Sequence, residues 1–268
     1  MTITLQDPAP VRLVEPERLL AEMGGPLARV DYDWSGARPG MLSDEEIFQL
    51  TYAAQVEWGT EGTFASLDIS RDPVVRRFLR VWLDQEVVHA DLLAEVLARS
   101  GAAPVTPVHR ERRHRWAAAR GKVLNQLVRL GVGEDFFAVH MSWGAINELT
   151  TLRFYRVMRA NTSSELLRAV LRDVMAQEAL HYSFYRNAAI RRLAGNPRGQ
   201  RIVRFALQHL WSPVGLGLRT RADVDRLMAG LFADRPEQVA QMDHQIGRIP
   251  GLGGLDLITA TMATAGRA

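Results

Sequence analysis

Six residues of metal-binding type recur along the middle of the sequence in the order Glu, Glu-x-x-His, Glu, Glu-x-x-His. They are Glu57, Glu86, His89, Glu148, Glu178 and His181. The single Glu precedes its Glu-x-x-His by 29 residues in the first half and by 30 residues in the second. A four-helix bundle can bind a pair of metal ions in its interior when two helices each supply one Glu and the other two each supply Glu-x-x-His. The spacing therefore predicts one dinuclear metal site built from two similar helix pairs.

The chemistry expected of this ligand set is the binding of two redox-active iron ions. Residues three positions apart share one face of a helix, so both side chains of a Glu-x-x-His can reach the same ion pair. Mixed carboxylate and imidazole ligands suit iron that cycles between Fe2+ and Fe3+, with manganese as an alternative. The competing explanation is a set of buried polar contacts between Glu and His. It is disfavoured because buried acids without a cation would cost roughly several kcal/mol each.

The helices that must carry these residues are indicated by their capping signals. Ser43 with Glu46 and Thr162 with Glu165 are capping-box patterns, and Asp72-Pro73 is typical of a helix start. The four predicted helices span about residues 44–66, 73–99, 134–160 and 162–194. Glu86 and Glu148 fall at the middles of their predicted helices, and Glu57 and Glu178 lie roughly 13–15 residues from the turn that joins each helix to its partner, or about 20 Å at 1.5 Å per residue. All six ligands should therefore meet at one level of the bundle.

The chain divides by composition into an arm, a bundle and an extension. Residues 1–42 are rich in proline and glycine, which predicts an N-terminal arm with at most short helical turns. Residues 43–197 are expected to form the helical bundle, with a crossover at residues 101–133. Residues 198–268 are expected to form a C-terminal helical extension packed on the bundle. No segment shows the alternation of a strand, so the predicted fold class is all-α.

Composition limits the class of protein. The 268 residues are 47% hydrophobic and 24% charged, as in soluble globular proteins. No apolar run approaches the roughly 18 residues of a membrane span, and no signal peptide is evident, so a cytoplasmic location is the default expectation. The absence of cysteine excludes disulfides, thiolate ligands and a built-in iron–sulfur cluster. Electrons for a redox reaction would have to come from another protein or a small reductant.

The sequence resembles the soluble acyl-[acyl-carrier-protein] desaturases, a family of ferritin-like di-iron enzymes, over roughly residues 44–195. The resemblance is best in Trp82-Leu83-Asp84-Gln85-Glu86-Val87-Val88-His89-Ala90-Asp91-Leu92-Leu93. Thr151, one turn after Glu148, falls where that family places a threonine beside the dioxygen site, which makes it the candidate catalytic residue. The resemblance implies a ferritin-like homodimer that binds two irons and O2 and takes electrons from ferredoxin. Its substrate would be a fatty acyl chain on an acyl carrier protein or on coenzyme A.

Several positions depart from related patterns. The family usually has a carboxylate immediately before each Glu-x-x-His acid, acting on a ligand histidine, whereas this chain has Gln85 and Gln177. An amide oxygen can still accept from an imidazole N–H, but it raises the basicity of the imidazole less than a carboxylate does. Ribonucleotide reductase radical subunits have a tyrosine where this chain has Leu93. Arylamine N-oxygenases have a third histidine where this chain has Val174, so both branches are disfavoured.

A basic segment lies in the predicted crossover. Seven arginine or lysine residues accompany one acid between residues 109 and 130. Because acyl carrier proteins are acidic, such a cluster would steer and orient them. The candidate partner-binding residues are Arg110, Arg112, Arg113 and Arg115. A solvated helix face explains the segment equally well, whereas nucleic-acid binding lacks a supporting motif.

Small residues near the predicted ligands are candidates for a substrate channel. They are Ala54, Gly59, Gly62, Gly144 and Ala145. A glycine inside a helix costs about 1 kcal/mol relative to alanine, which indicates either a cavity or close helix contact. Nearby tryptophans are expected to form core walls rather than an electron relay. These are Trp58, Trp82 and Trp143.

Three functions remain open. The first is an O2-dependent acyl desaturase, in which Glu57 and Glu148 bind or bridge iron and Thr151 assists proton delivery to reduced oxygen. The second is a di-iron hydroxylase or other oxygenase that acts on a biosynthetic intermediate, such as an aminoacyl or polyketide intermediate. The third is an iron store or ferroxidase. It is disfavoured because a minimal ferritin bundle needs neither the crossover nor the C-terminal extension.

Overall fold

A computed structural model describes residues 13–67, 70–108, 131–133 and 135–266. Within these ranges the chain forms nine α-helices. They are α1 (Pro16–Met23), α2 (Asp44–Leu67), α3 (Pro73–Arg99), α4 (Asp135–Asn161), α5 (Glu165–Leu193), α6 (Pro197–Leu210), α7 (Arg221–Phe232), α8 (Pro236–Gly247) and α9 (Leu257–Ala265). The predicted all-α fold is confirmed, and none of the described helices has the length and apolar character needed to cross a membrane. The basic segment with Arg110, Arg112, Arg113 and Arg115 lies outside the described residues.

Two of the four long helices begin with the caps that the sequence predicts. Ser43 and Glu46 form the capping box of α2, in which the Ser43 N–H donates to Glu46 Oε2 at 2.8 Å. At the start of α3, Asp72 Oδ1 accepts from the Val74 N–H at 2.9 Å. These caps satisfy backbone groups that the first helical turn leaves unpaired, and they set the register of the ligand-bearing helices.

Helix α5 begins later than its sequence pattern suggests. Its N-cap is Ser164, whose Oγ accepts from the Leu167 N–H at 3.3 Å. The capping box predicted from Thr162 and Glu165 is therefore wrong, because Glu165 is already the first helical residue. Thr162 Oγ1 instead accepts from the Ser164 N–H at 3.2 Å and belongs to the preceding turn. The later start does not affect the middle of α5, where Glu178 and His181 are both helical.

Helices α2 to α5 form a four-helix bundle in which α2 pairs with α3 and α4 pairs with α5. Only a few residues of sequence separate the members of each pair, so the paired helices run antiparallel. Trp58 Nε1 donates to Asp91 Oδ1 at 3.0 Å across the first pair. The two pairs meet where Phe78 of α3 stacks on Phe184 of α5, with ring centroids 3.8 Å apart. Both rings are buried, so the helices carrying the Glu-x-x-His motifs face each other across the core.

The C-terminal helices α6 to α9 follow the bundle and contact its outer side. Asn196, which caps α6, donates to Asp135 Oδ1 at the start of α4 at 2.8 Å. The Tyr52 hydroxyl of α2 donates to the Val214 carbonyl between α6 and α7 at 2.5 Å. Through these contacts the extension closes the side of the bundle formed by α2 and α4.

Candidate metal centre

The structure brings all six predicted ligand residues together in the core. They are carried by α2 (Glu57), α3 (Glu86 and His89), α4 (Glu148) and α5 (Glu178 and His181). None of them is more than 6% exposed. They form two groups whose ligand atoms lie within 4.8 Å of one another, one of Glu57, Glu86, His89 and Glu178 and the other of Glu86, Glu148, Glu178 and His181. The cluster could therefore hold metal ions, at the single level of the bundle that the helix lengths predict.

Two carboxylates are shared between the groups. Glu86 and Glu178 belong to both groups, whereas Glu57 and Glu148 belong to one group each. The sequence left open whether Glu57 and Glu148 would bind or bridge. If two ions bind, Glu57 and Glu148 would be terminal ligands and Glu86 and Glu178 would be the bridging candidates, because only Glu86 and Glu178 belong to both groups.

Each imidazole is oriented by a glutamine from the facing helix. His89 Nε2 lies 2.8 Å from Gln177 Oε1, and His181 Nε2 lies 2.7 Å from Gln85 Oε1. Both hydrogen bonds run between α3 and α5. Each of these helices therefore supplies the glutamine that contacts the histidine of the other. Each amide oxygen therefore lies where it can accept a hydrogen bond from an imidazole N–H.

Backbone carbonyl groups determine which imidazole nitrogen carries the proton. Gln85 Nε2 donates to the Met23 carbonyl at 2.9 Å, and Gln177 Nε2 donates to the Gly25 carbonyl at 2.8 Å. A carbonyl oxygen can only accept, so each amide must turn its own oxygen toward the imidazole. Nε2 of each neutral histidine is therefore the protonated nitrogen. The Nδ1 atoms keep their lone pairs and face the carboxylates, as metal-binding imidazoles require.

Inward-facing atoms of the cluster lack hydrogen-bond partners. They are Glu86 Oε1, His89 Nδ1 and Glu178 Oε1. His89 Nδ1 lies 3.1 Å from Glu178 Oε1, and His181 Nδ1 lies 3.0 Å from Glu86 Oε1. With only Nε2 protonated, each pair sets two acceptors face to face, which is unfavourable unless a metal cation or a proton lies between them. The donor set thus fits two divalent ions, whose charge would balance the four carboxylates.

The carboxylates of the cluster oppose one another's ionisation. Burial raises the pKa of Glu57, Glu86 and Glu148, and the nearby negative charge of Glu178 raises it further. Burial acts in the same sense on Glu178, but the two nearby histidine side chains outweigh it and hold the pKa of Glu178 below the usual range. The cluster therefore needs cations or protons to offset its negative charge.

The raised pKa values give the metal-free protein a distinctive pH dependence. Glutamates of the unfolded chain titrate near 4.5, whereas folded Glu86 and Glu148 hold their protons to a higher pH. Between the pKa of the unfolded glutamates and the higher pKa of the folded ones, the folded state binds more protons than the unfolded state. The stability of the folded state therefore falls as the pH rises through this range. The pKa of His89, raised by Glu178 against the effect of burial, acts in the same direction. The pKa of His181, lowered by burial, opposes it.

We expect the melting temperature of chelator-treated protein to rise as the pH is lowered from about 8 toward about 5. Metal-loaded protein should lack this rise, because bound cations replace the protons. Glu86→Gln removes one titrating group and should flatten the dependence of the metal-free protein. A metal-free melting temperature that falls steadily over the same range would contradict the electrostatics described here.

Two aromatic residues donate hydrogen bonds to the terminal carboxylates. Trp82 Nε1 donates to Glu148 Oε1 at 3.0 Å, and the Tyr155 hydroxyl donates to Glu57 Oε1. Both donors are buried, so each fixes one carboxylate oxygen and orients the other. Sequence reasoning assigned Trp82 only to a core wall and missed Tyr155. The signal for Tyr155 was its position seven residues after Glu148, two turns along the same helix face.

A small apolar cavity with about 20 Å³ of free space lies beside Glu57, between α2, α4 and the C-terminal extension. Its apolar walls include Ala53, Val56, Phe154, Met158, Val214 and Leu227. Along α2 the lining extends from Glu57 to Gln49, which is about 12 Å at 1.5 Å per residue. Thr151, the predicted catalytic residue, lines the cavity together with Tyr155. A small apolar group could therefore reach a terminal ligand of the cluster.

The small residues considered for a channel do not line this cavity. A methyl group at Gly144 would lie 2.5 Å from the Tyr185 ring, and one at Gly59 would overlap Leu218. These two glycines therefore allow close packing, which was the alternative to a channel. Ala54 and Ala145 are buried in the core, and Gly62 has open space beside its Cα.

Similarity to known proteins adds no family assignment to this geometry. No protein-family model, curated protein or solved structure matches the chain. The resemblance to acyl-carrier-protein desaturases therefore rests on the ligand pattern, on the residues around Glu86 and on Thr151. Function has to be argued from the site itself.

Proposed function

We propose that the protein is an O2-dependent oxidoreductase that uses a pair of iron ions and desaturates a carrier-bound fatty acyl chain. The observation that carries the proposal is the buried cluster of four carboxylates and two imidazoles, in two groups that share Glu86 and Glu178. When bound, two iron ions would supply the activation of O2 that removal of hydrogen from an unactivated C–H bond requires. A ferredoxin-type electron donor, an acyl carrier protein and a homodimeric assembly belong to the same proposal.

The cavity beside Glu57 supports an organic substrate. Its walls are aliphatic and aromatic, so they favour methylene groups over ions or polar ligands. Its free space of about 20 Å³ is only slightly more than the roughly 10–15 Å³ that one water molecule needs, so a chain segment would enter only as the surrounding side chains move apart. Such widening is smaller for a slender acyl chain than for a bulky ring system, so the cavity favours an acyl substrate. An iron store or ferroxidase would need no such cavity.

The residues between cavity and cluster have separable roles. Thr151 Oγ1 can hold a proton at this boundary, because a hydroxyl both donates and accepts. Tyr155 and Trp82 orient the terminal carboxylates Glu57 and Glu148. The apolar walls exclude water, which limits side reactions of a reactive intermediate.

The reaction is tested with iron-loaded protein, a reductant, O2 and fatty acyl chains on an acyl carrier protein. Mass spectrometry should find an acyl product that is lighter by two hydrogen atoms. His181→Ala protein is the control and should give no product, because it lacks a ligand. Consumption of O2 without any change in acyl mass would contradict an acyl substrate.

A hydroxylase on the same frame is the second candidate. The observation in its favour is the pair of neutral amides, Gln85 and Gln177, that accept from the ligand imidazoles. Amides leave the imidazoles less basic than carboxylates would, which alters the redox properties of the metal pair. A product that is heavier by one oxygen atom would identify this reaction.

A further inference from the structure

The turn that follows α1 lies directly behind the metal cluster. The Gly25 carbonyl accepts from the amide nitrogens of both Gln85, at 3.2 Å, and Gln177, at 2.8 Å. The Met23 carbonyl accepts from Gln85 at 2.9 Å. Both glutamines are buried, with Gln85 at 0% exposure. One turn of backbone is thus joined through two side chains to both candidate ligand histidines.

The conformation of this turn makes its carbonyls available. Met23 is the last residue of α1, so its carbonyl has no hydrogen-bond partner within the helix. Gly24 has φ +65°, in the left-handed region that glycine adopts readily, and this allows the carbonyls on either side to accept from one glutamine. Leu19, Leu20 and Met23 are buried and anchor α1. The end of a helix that carries free carbonyls is partly negative, so it attracts amide N–H groups and repels carboxylates.

We propose that Gln85 and Gln177 are positioning residues that latch residues 13–25 over the histidine side of the metal centre. Docking of this segment and binding of metal then stabilise each other. Glutamine is the required residue type, because its oxygen accepts from an imidazole while its nitrogen donates to the turn. A carboxylate could perform only the first task. The latch rests on the proposed metal site but not on the proposed substrate or reaction.

The latch acts on the tautomers of the two ligand histidines. Metal binding requires unprotonated Nδ1 atoms, and these are secured only while each amide keeps its oxygen toward Nε2. The carbonyls of Met23 and Gly25 hold both amides in that orientation. By thermodynamic linkage, metal must favour docking by the same factor by which docking favours metal.

Hydrogen–deuterium exchange of the full-length protein measures docking of residues 13–25 directly. We expect anaerobic Fe2+ to slow exchange in this segment of the wild-type protein by roughly 5–150-fold, the usual range for coupling between two sites. In the double variant Gln85→Glu and Gln177→Glu we expect fast exchange there with and without Fe2+. The reason is that two carboxylates would face backbone carbonyls and no donor would remain. A role limited to orienting the imidazoles predicts no such change, because glutamate also accepts from imidazole.

Gln200→Glu is the matched control. Gln200 Nε2 donates at 2.9 Å to the carbonyl of Leu193, the last residue of α5, so the substitution removes the same kind of bond outside the cluster. It should leave exchange in residues 13–25 unchanged. Wild-type protection of this segment in the double variant would overturn the latch. Bound Fe2+ that leaves wild-type exchange unchanged would overturn the coupling.

Two further measurements keep the exchange experiment decisive. Should the double variant fail to fold, Gln85→Glu alone must still expose the segment, and its full protection would overturn the latch. If the wild-type protein binds no Fe2+, the proposed function and the coupling fail together. The exchange of metal-free variants then still decides whether the glutamines dock the turn.

Discussion

Replacing Glu178 with alanine should leave the protein unable to retain either metal ion. Glu178 lies in both ligand groups, and both histidines approach it, at 3.1 Å from His89 Nδ1 and 3.4 Å from His181 Nδ1. Its loss removes one ligand from each ion position. We expect metal affinity to fall by more than the roughly 10–100-fold typical of losing a partner that only supports a ligand. Metal content after gel filtration, measured by elemental analysis, provides the test.

Glu57→Ala is the matched variant, because Glu57 belongs to only one of the two groups. It should weaken one ion position while the other retains its ligands. Far-ultraviolet circular dichroism should show the same helix content in both variants. Equal and full metal retention in the Glu178 and Glu57 variants would contradict the assignment of shared and terminal ligands.

Filling the cavity should abolish turnover without removing the metal. Ala53→Phe places a ring in the cavity beside Glu57, where the proposed substrate would lie. Displacement of a reacting group by about 1 Å can cost about 100-fold in rate, so we expect at least that loss in acyl product formation. Metal content should stay at the wild-type level, because Ala53 belongs to neither ligand group. Product formation and bound iron are measured on the same preparations.

Ala65→Phe is the control for this substitution. Ala65 lies on the same helix but is exposed, so an added ring there should change neither turnover nor metal content. Wild-type product formation by Ala53→Phe would show that the cavity is not the substrate site. That outcome would leave the assignment of the metal site intact, because the evidence for the metal site does not depend on the cavity.

The metal cluster could be predicted because its signals are local. A three-residue spacing sets Glu86 with His89, and Glu178 with His181, on one helix face. The predicted start of α3 at Pro73 is confirmed, and the length of each helix then places its ligands at the same level. Such features depend on helical geometry, which is the same in every protein.

What sequence reasoning missed depends on contacts between distant segments. The bonds from Gln85 and Gln177 to Gly25 join residues that are 60 and 152 positions apart. No periodic pattern in the sequence indicates that a backbone turn will contact two distant side chains. The cavity likewise depends on where Val214 and Leu227 of the C-terminal extension come to lie against α2. The membership of Glu86 and Glu178 in both ligand groups depends on the relative placement of four glutamate side chains, which the spacing of these residues in the sequence does not reveal.

Anomalous diffraction from crystals of the iron-loaded protein tests the central claim most directly. We predict two anomalous peaks per chain, about 3.5–4 Å apart as in other two-metal sites. Both should lie between Glu86 and Glu178, one beside Glu57 and His89 and the other beside Glu148 and His181. A single peak, or peaks that lie away from these six residues, would contradict the dinuclear site.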